Sequence, residues 1–168
     1  MAKKKVTIKF QLKKIDAIGY HLILPIQINK KKAVMVIDTG ASQSVFDKDR
    51  IARILGHEKF TKLDTLSTGL GTSSMKSHSV TLPEMKIGSV KIENEEIIVL
   101  DLSHVNASYK VMGIKPIDGI LGGDFLQKFK AIIDYGNKCI ILNASKHRTK
   151  TAKQQTQKKE RLKSRSSF

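Results

Sequence analysis

The sequence has one cysteine, Cys139, among 168 residues, so a disulfide bond cannot form within one chain. This shortage excludes the class of small secreted domains that depend on disulfide bonds for stability. Cys139 adjoins the apolar run 140–142, which predicts a thiol packed in a strand rather than a reactive one. No stretch approaches the roughly 20 apolar residues that a membrane-spanning helix needs. The lysine-rich start, residues 1–5, is not followed by the apolar segment of a signal peptide, so we expect a cytoplasmic location and no membrane contact.

Tryptophan is absent and aromatic residues make up only 5% of the sequence, whereas lysine and arginine outnumber the acidic residues and give a net charge of +16. Residues 146–168 hold nine of these basic residues and one glutamate, a net charge of +8. The same segment has few apolar residues, so it cannot bury enough surface to offset the entropy lost on folding. The composition predicts a domain over residues 1–145 and a basic, disordered tail over residues 146–168.

Several segments alternate between apolar and polar residues, the pattern of half-buried β-strands. Polar or glycine-containing turns separate these segments, as at residues 29–32 and 88–89. Pro25 indicates an edge or a bulge in its strand, because proline cannot donate a hydrogen bond. The predicted strands cover residues 6–12, 21–28, 33–37, 80–99 (two or three strands) and 131–142.

Two short helices are predicted between the strands. Asp47 can cap the start of one that runs to Leu55, and Gly56 can end it. The second begins near Asp124, which can cap it in the same way. Residues 106–118 are predicted to form a loop. The chain is therefore expected to have an all-β fold, mostly antiparallel, with one or two short helices.

The most informative stretch is Asp38-Thr39-Gly40, which directly follows the apolar, β-branched strand 33–37. Buried strands often end in such residues, so the three could form an ordinary turn. Alternatively, the rigid end of a strand could hold the Asp38 carboxylate away from bulk water, with Gly40 letting the backbone turn sharply behind it. The residues alone leave both interpretations open.

A second motif, Ile120-Leu121-Gly122, repeats the pattern of two apolar residues followed by a turn residue. The two motifs, in this order, resemble those of the retroviral-type, or retropepsin-like, aspartic proteases. Gly123-Asp124 stands where retroviral enzymes have an arginine and an acid or amide, and is closer to the DNA-damage-inducible proteins and the small bacterial relatives. The resemblance implies a closed β-barrel that forms one lobe per chain and is completed as a homodimer.

The resemblance also implies roles for the residues of the first motif. Asp38 and its counterpart in a second chain would activate a water molecule for peptide-bond hydrolysis. Thr39 would hydrogen-bond across the dimer, the Gly40 N–H would approach the carboxylate, and Ala41 would line the floor of the site. The second motif would pack beneath the Asp38 turn. No metal or other cofactor is implied.

Two glycines surround a leucine in Gly69-Leu70-Gly71-Thr72, between the two motifs. An ordinary surface loop would account for this composition. The resemblance instead implies a hairpin flap that closes over a peptide substrate, with these four residues as substrate contacts. A phosphate-binding loop is excluded, because no Lys-Ser/Thr pair follows at the required offset.

Three functions compete on this sequence. The leading hypothesis is an aspartic endopeptidase that acts on protein or peptide substrates as a homodimer. The second is a peptide- or protein-binding module on the same scaffold, with weak or no hydrolysis. The third is a basic nucleic-acid-associated protein whose tail makes weak, non-specific contacts with nucleic acids or acidic partners, since phosphates attract lysine and arginine. The scarcity of aromatic residues argues against the third.

Overall fold

The computed structural model describes residues 4–15, 17–63, 67–69 and 72–144, so the predicted tail lies outside the described residues. Strands dominate this part of the chain, and three short helices lie between them. The strands are β1 (Lys4–Lys9), β2 (Gln11–Lys14), β3 (Tyr20–Ile28), β4 (Lys31–Ile37), β5 (Val45–Asp47), β6 (Thr61–Lys62), β7 (Ser67–Gly69), β8 (Thr72–Met75), β9 (His78–Ile87), β10 (Val90–Leu100), β11 (Gly119–Leu121), β12 (Ile132–Asp134) and β13 (Cys139–Ala144). The helices are α1 (Lys48–Leu55), α2 (Ser103–Val111) and α3 (Gly123–Lys128).

Six strands form a closed barrel in the order β3-β4-β11-β5-β10-β9, with β9 pairing again with β3. The closing contact is short and pairs residues 27–28 of β3 with residues 85–86 of β9. Closure removes the free sheet edges that would otherwise expose unpaired backbone groups. The β4–β11 and β5–β10 pairs are parallel and the other barrel pairs are antiparallel. The predicted fold class, a mostly antiparallel β-barrel with few short helices, is confirmed.

A separate three-stranded sheet, in the order β1-β13-β12, pairs the first described strand with the last. The predicted strand over residues 6–12 is divided at Phe10, because β1 pairs with β13 while β2 pairs with β3 of the barrel. The Phe10 N–H donates to the carbonyl oxygen of Lys138 at 3.0 Å, and its ring is buried. The predicted closing hairpin is present as β12 and β13, and Cys139 of β13 is buried as expected for a packed thiol.

Pro25 lies inside β3, where its missing N–H would normally weaken a sheet. It pairs with Val34 of β4, whose N–H donates to the Asp118 carboxylate at 2.7 Å instead of to β3. On the other side of β3, pairing with β2 ends at Ile23 and pairing with β9 starts at Gln27. Pro25 therefore occupies the gap between two partner strands, a local edge where a missing N–H breaks no ladder bond.

Helix α1 has the start and the end that the sequence predicted. The Asp47 carboxylate accepts a hydrogen bond from the Arg50 N–H at 2.9 Å and so caps the first turn. Gly56 adopts a left-handed conformation with φ of 80°, and its N–H donates to the Ala52 carbonyl oxygen at 2.7 Å. Ile51 packs its side chain into the core. The Asp47 cap and the left-handed Gly56 are therefore sufficient to set where this helix begins and ends.

Helix α2 lies partly where the sequence predicted a loop, so the prediction for residues 106–118 was wrong over its first half. Asn106 and Ser108 favour turns over helix interiors, which explains the error. Contacts with distant residues stabilise the helix instead. The Asn106 side chain accepts from the Ile117 N–H at 2.8 Å and donates to the Ile117 carbonyl oxygen at 3.2 Å, and Tyr109 is buried.

Buried apolar side chains form two clusters. The larger combines residues of the barrel strands with residues of β1, β13, α1 and α3. The smaller joins α2 and the segment after it to β4 and β11, and consists of Val36, Tyr109, Ile114, Ile117 and Ile120. Because Val36 precedes Asp38 by two residues, this smaller cluster anchors α2 beside the first sequence motif.

Candidate active site

Asp38 directly follows β4, at the point where this strand pairs with β11. The two strands run parallel, with Ile37 opposite Leu121, and the Asp38 N–H donates to the Leu121 carbonyl oxygen at 3.0 Å. The backbone of the second motif therefore holds the first. Asp38 is half-buried, so the residue is shielded by the fold while it stays accessible to a ligand.

Gly40 makes the turn after Asp38 tight. Its N–H donates to Asp38 Oδ1 at 2.8 Å, and the Ala41 N–H donates to the Asp38 carbonyl oxygen at 3.3 Å. A Cβ atom at position 40 would lie only 3.3 Å from the same Oδ1. Glycine therefore permits the close approach of the N–H to the carboxylate that the family resemblance implied.

Gly122 and Gly123 let the two motifs interlock. The Gly123 N–H donates to the Ala41 carbonyl oxygen at 2.7 Å and so links the two turns. A Cβ atom at position 122 would lie 2.6 Å from the backbone carbonyl carbon of Gln43, closer than two carbon atoms can pack. The second motif thus lies directly beneath the Asp38 turn, and Ala41 is half-buried between the two turns.

Asp124 is not the N-cap of its helix, so that prediction was wrong. The capping position of α3 belongs to Gly122, which has no side chain to accept a bond. Asp124 Oδ1 accepts from the Phe125 N–H at 2.7 Å, and also from the Ser44 N–H at 2.8 Å and the Ser44 hydroxyl at 2.7 Å. The Ser44 hydroxyl oxygen in turn accepts from the Gly122 N–H at 2.9 Å. Asp124 therefore ties the segment after the Asp38 turn to the second motif.

Asp118, the other carboxylate near the second motif, stabilises the scaffold. The residue is buried, and its Oδ1 lies 2.7 Å from the Nε of Arg50. Its Oδ2 accepts from the Val34 N–H at 2.7 Å. Because both carboxylate oxygens are engaged within the fold, Asp118 is not placed to act as a second acid beside Asp38.

A cavity of about 620 Å³ opens beside Asp38. Its walls are mostly aliphatic and aromatic side chains from β3, β4, α2 and the segments around β11 and β12. The lining residues are Tyr20, His21, Leu22, Val36, Ile37, Asp38, Thr39, Val105, Tyr109, Ile117, Ile120, Ile133 and Tyr135. Among these described lining residues Asp38 is the one carboxylate. A mostly apolar cavity with a few convergent polar groups suits a peptide side chain next to a reactive carboxylate.

His21 and Tyr109 form a hydrogen-bonded pair in this cavity, which Tyr20 and Tyr135 also line. The Tyr109 hydroxyl is hydrogen-bonded to Nδ1 of His21, and the two ring centroids lie 5.5 Å apart. Burial raises the pKa of the Tyr109 phenol to about 12, and the negative charge of Asp38 adds to that rise. The phenol therefore stays neutral at physiological pH.

The sequence interpretation missed both members of this pair. The available signal was the spacing of Val105 and Tyr109, four residues apart and hence on one face of a helix. A spacing of four residues places two side chains on the same face of a helix, but it indicates no such arrangement in a loop. Because residues 106–118 were predicted to form a loop, the spacing could not be used. His21 carried no signal, since a histidine within a predicted strand has many ordinary explanations.

The structure has a hairpin where the flap was predicted. Strands β7 and β8 form a two-stranded antiparallel sheet in which Gly69 pairs with Thr72. Leu70 and Gly71 lie outside the described residues. Thr39 is exposed and lines the cavity.

No cluster of three or more histidine, cysteine, aspartate or glutamate side chains occurs among the described residues that could hold a metal ion. In the same part of the chain, no helix has the length and apolar character needed to cross a membrane.

Comparison with known proteins identifies a family over the part of the chain that contains both motifs. Residues 24–125 match the model of a family described as aspartyl protease, and this range contains both Asp38 and Gly122. A curated relative, DNA damage-inducible protein 1 of Neurospora crassa, is 26% identical over 125 residues, which are 73% of this chain. The chain spans about a quarter of the length of that relative.

Two solved structures share the fold. A retropepsin-like aspartic protease from Rickettsia conorii aligns with a TM-score of 0.50 and 24% identity, covering 84% of this chain and 92% of that one. The retroviral protease-like domain of Ddi1 from Leishmania major aligns with a TM-score of 0.52 and 18% identity, covering 74% of this chain and 90% of that one. At these identities the two structures establish a retropepsin-like fold.

Proposed function

Because this chain belongs to the aspartyl protease family, we propose that it hydrolyses peptide bonds in protein substrates as a homodimer. The observation that carries the proposal is the half-buried Asp38, whose Oδ1 accepts from the Gly40 N–H at 2.8 Å at the edge of a mostly apolar cavity. A turn that only connects two segments of the chain does not require a carboxylate at the edge of an apolar cavity.

Hydrolysis by carboxylates requires two of them in close contact. One takes a proton from the attacking water and the other donates a proton to the scissile carbonyl oxygen, so the pair must share a single proton. This chain provides Asp38, while Asp118 and Asp124 are occupied by scaffold contacts. We therefore assign the second acid to Asp38 of a second copy, related by a two-fold axis.

The surface around the cavity supports this assembly. Tyr20 and Tyr135 line the cavity and are 54% and 58% exposed. Ile132, on the edge strand β12, is 52% exposed. Large apolar side chains beside a reactive group favour contact with another protein surface. We assign that surface to the second copy and to the substrate.

The remaining predicted site residues receive roles that follow from their positions. Thr39 is exposed beside Asp38, where it can bond across the dimer. The Gly40 N–H holds the Asp38 carboxylate, and the Ala41 N–H holds the Asp38 backbone carbonyl oxygen. The hairpin that pairs Gly69 with Thr72 is assigned as the flap that closes over substrate and excludes water.

Asp38→Asn tests the proposal. The variant should lose peptidase activity by at least about a hundredfold, because both halves of the dyad lose their ability to exchange a proton. Its melting temperature should stay close to that of the unsubstituted protein, since asparagine keeps an oxygen that can accept from Gly40. Cleavage of an unfolded protein substrate is the measurement, and Asp49→Asn, an exposed position in α1, is the matched control.

Near-normal cleavage by Asp38→Asn would contradict the proposal. Tight binding of peptides without cleavage by the unsubstituted protein would instead support a peptide-binding module on the same scaffold.

A further inference from the structure

We propose that His21 and Tyr109 form the polar end of the pocket beside Asp38 and select a substrate side chain with an apolar body and a hydrogen-bonding tip. This inference rests on the proposed function, because it concerns the residue next to the scissile bond. It assigns a specificity role to α2, an element outside both sequence motifs.

Tyr109 is held rigidly at the pocket. It is 4% exposed and belongs to the small cluster that joins α2 to β4 and β11. Asn106, one turn earlier in α2, is bonded to the backbone of Ile117, so the helix cannot rotate without breaking these bonds. The Tyr109 hydroxyl therefore has a fixed position relative to Asp38.

His21 lies at the same end of the pocket but belongs to β3 instead of α2. Leu22 of β3 pairs with Ile37 of β4 in antiparallel register, and the residues next to this pair, His21 and Asp38, both line the cavity. The imidazole is half-buried and lines the cavity. Its Nδ1 is hydrogen-bonded to the Tyr109 hydroxyl, which sets the orientation of the ring.

The pair retains hydrogen-bonding capacity for a ligand. A phenol oxygen has one proton and two lone pairs, and an imidazole has a second nitrogen, Nε2. One bond between Tyr109 and His21 leaves a phenol lone pair and Nε2 to meet a substrate group. Since the phenol is neutral, Tyr109 offers a dipole rather than a charge.

Apolar side chains form much of the remaining wall, whose other polar residues are Asp38, Thr39, Tyr20 and Tyr135. This combination makes the pocket selective. Val105, Ile117 and Ile120 line the cavity together with the pair. A hydrocarbon side chain packs against the apolar walls but leaves the free phenol lone pair and the His21 Nε2 without a hydrogen-bond partner. A site built around hydrogen bonds discriminates against a ligand that cannot form them. A side chain such as tyrosine satisfies both the walls and the pair.

The test uses two peptides that differ by one hydroxyl group, with tyrosine or phenylalanine next to the scissile bond. We expect the unsubstituted protein to prefer the tyrosine peptide by about tenfold in kcat/KM. Tyr109→Phe should reduce this ratio to about one. Ser108→Ala, at an exposed position of the same helix, is the matched control and should leave the ratio unchanged.

A second arm separates this inference from the proposed function. The same peptides are bound to Asp38→Asn protein and the Kd ratio is measured by fluorescence anisotropy, so no hydrolysis is required. If no peptide is cleaved by the unsubstituted protein but the binding preference exists and disappears with Tyr109→Phe, the pocket assignment holds and the peptidase assignment fails.

His21→Leu provides an independent variant in case Tyr109→Phe does not fold, since it removes the imidazole and leaves the phenol in place. It should also reduce the tyrosine preference. The same tyrosine-to-phenylalanine ratio in the unsubstituted protein and in a folded variant, both in kcat/KM and in Kd, would be a different result. That result would show that the pair only stabilises α2. Absence of any binding or preference would overturn the inference as well.

Discussion

Asp47 is a buried carboxylate that performs three structural tasks. Its oxygens accept from the Arg50 N–H at 2.9 Å, the Leu102 N–H at 3.2 Å and the Asn106 side chain at 3.4 Å. Burial nevertheless raises the pKa of the Asp47 carboxyl above its ordinary value of 3.8, because the loss of water outweighs the two backbone hydrogen bonds that lower it. Asp47 thus joins α1 to α2 at some electrostatic cost.

This cost predicts a pH dependence of stability. Between the unfolded pKa of Asp47, near 3.8, and its raised folded pKa, the native state binds more protons than the unfolded state. The Asp47 contribution to the free energy of unfolding should therefore fall as pH rises through that window. Asp47→Asn removes the titration and keeps an accepting oxygen.

The measurement is urea unfolding of the unsubstituted protein and of Asp47→Asn over a series of pH values from below 3.8 to neutral. The stability of the unsubstituted protein relative to the variant should decrease with rising pH. Glu58→Gln, at an exposed position after α1, serves as the control, because Glu58 is not among the groups that shift the Asp47 pKa. A relative stability that rises with pH would contradict the prediction.

At the scale of elements, the parallel strands β4 and β11 form one unit with their two following turns. The Asp38 N–H bonds to Leu121, and the Gly123 N–H bonds back to Ala41. Each turn thus contributes a donor and an acceptor to the other. The position of the carboxylate depends on both motifs, although 79 residues of chain separate Gly40 from Ile120.

The two adjacent glycines of the second motif offer a matched test of this unit. A Cβ atom at position 122 would meet the Gln43 backbone at 2.6 Å, whereas one at position 123 would meet only the Ala41 and Ser42 carbonyl oxygens, at 3.5 and 3.6 Å. Gly122→Ala should therefore destabilise the fold by about 1 to 3 kcal/mol or more, and should displace the Asp38 turn.

Gly123→Ala should change stability by less than about 1 kcal/mol, since alanine is accepted in a helix. Thermal unfolding of both variants and their residual cleavage activity are the measurements. Equal stability of the two variants would show that the interlocked turns are looser than their contacts indicate.

At the scale of the whole molecule, the single carboxylate of the cavity predicts a concentration-dependent enzyme. Activity per chain should fall on dilution as the proposed dimer dissociates, because the proposed dyad needs two copies of Asp38. The shared proton predicts a bell-shaped pH profile, with activity lost both when the pair binds a second proton and when it loses its last. Sedimentation and initial rates over the same dilution series are the measurements.

Salt should influence the same equilibrium. Two chains that each carry a net charge of +16 repel one another, so higher ionic strength should favour the dimer. Full activity per chain at high dilution, together with a flat pH profile, would rule out a site that two chains share.

The basic tail makes a separate prediction for the whole chain. Removing residues 146–168 deletes half of the net charge but none of the described strands, so folding and peptide cleavage should persist. Any binding to DNA should weaken markedly and lose much of its salt dependence, because that attraction is electrostatic. A gel-shift titration at several salt concentrations compares the two forms, and failure of the shortened chain to fold would show that the tail is structural.

Features that depend on a few neighbouring residues were determined by the sequence itself. Asp47 and Gly56 bound α1 as predicted, the turn at residues 88–89 joins two strands, and Asp38 follows a buried strand. Caps, turns and strand ends are governed by side chains within about five residues, so a linear pattern contains the needed information. The second motif was predictable for a different reason, because it resembles a known family.

Other features were decided only by tertiary structure. The division of the first strand at Phe10, the helical state of α2 and the closure of the barrel between β3 and β9 all depend on partners that are distant in the chain. His21 and Tyr109 are 88 residues apart, and nothing in either local sequence indicates the other. Their contact exists because the strand β3 and the smaller cluster under α2 bring both to Asp38, and burial and strand pairing act through space rather than along the chain.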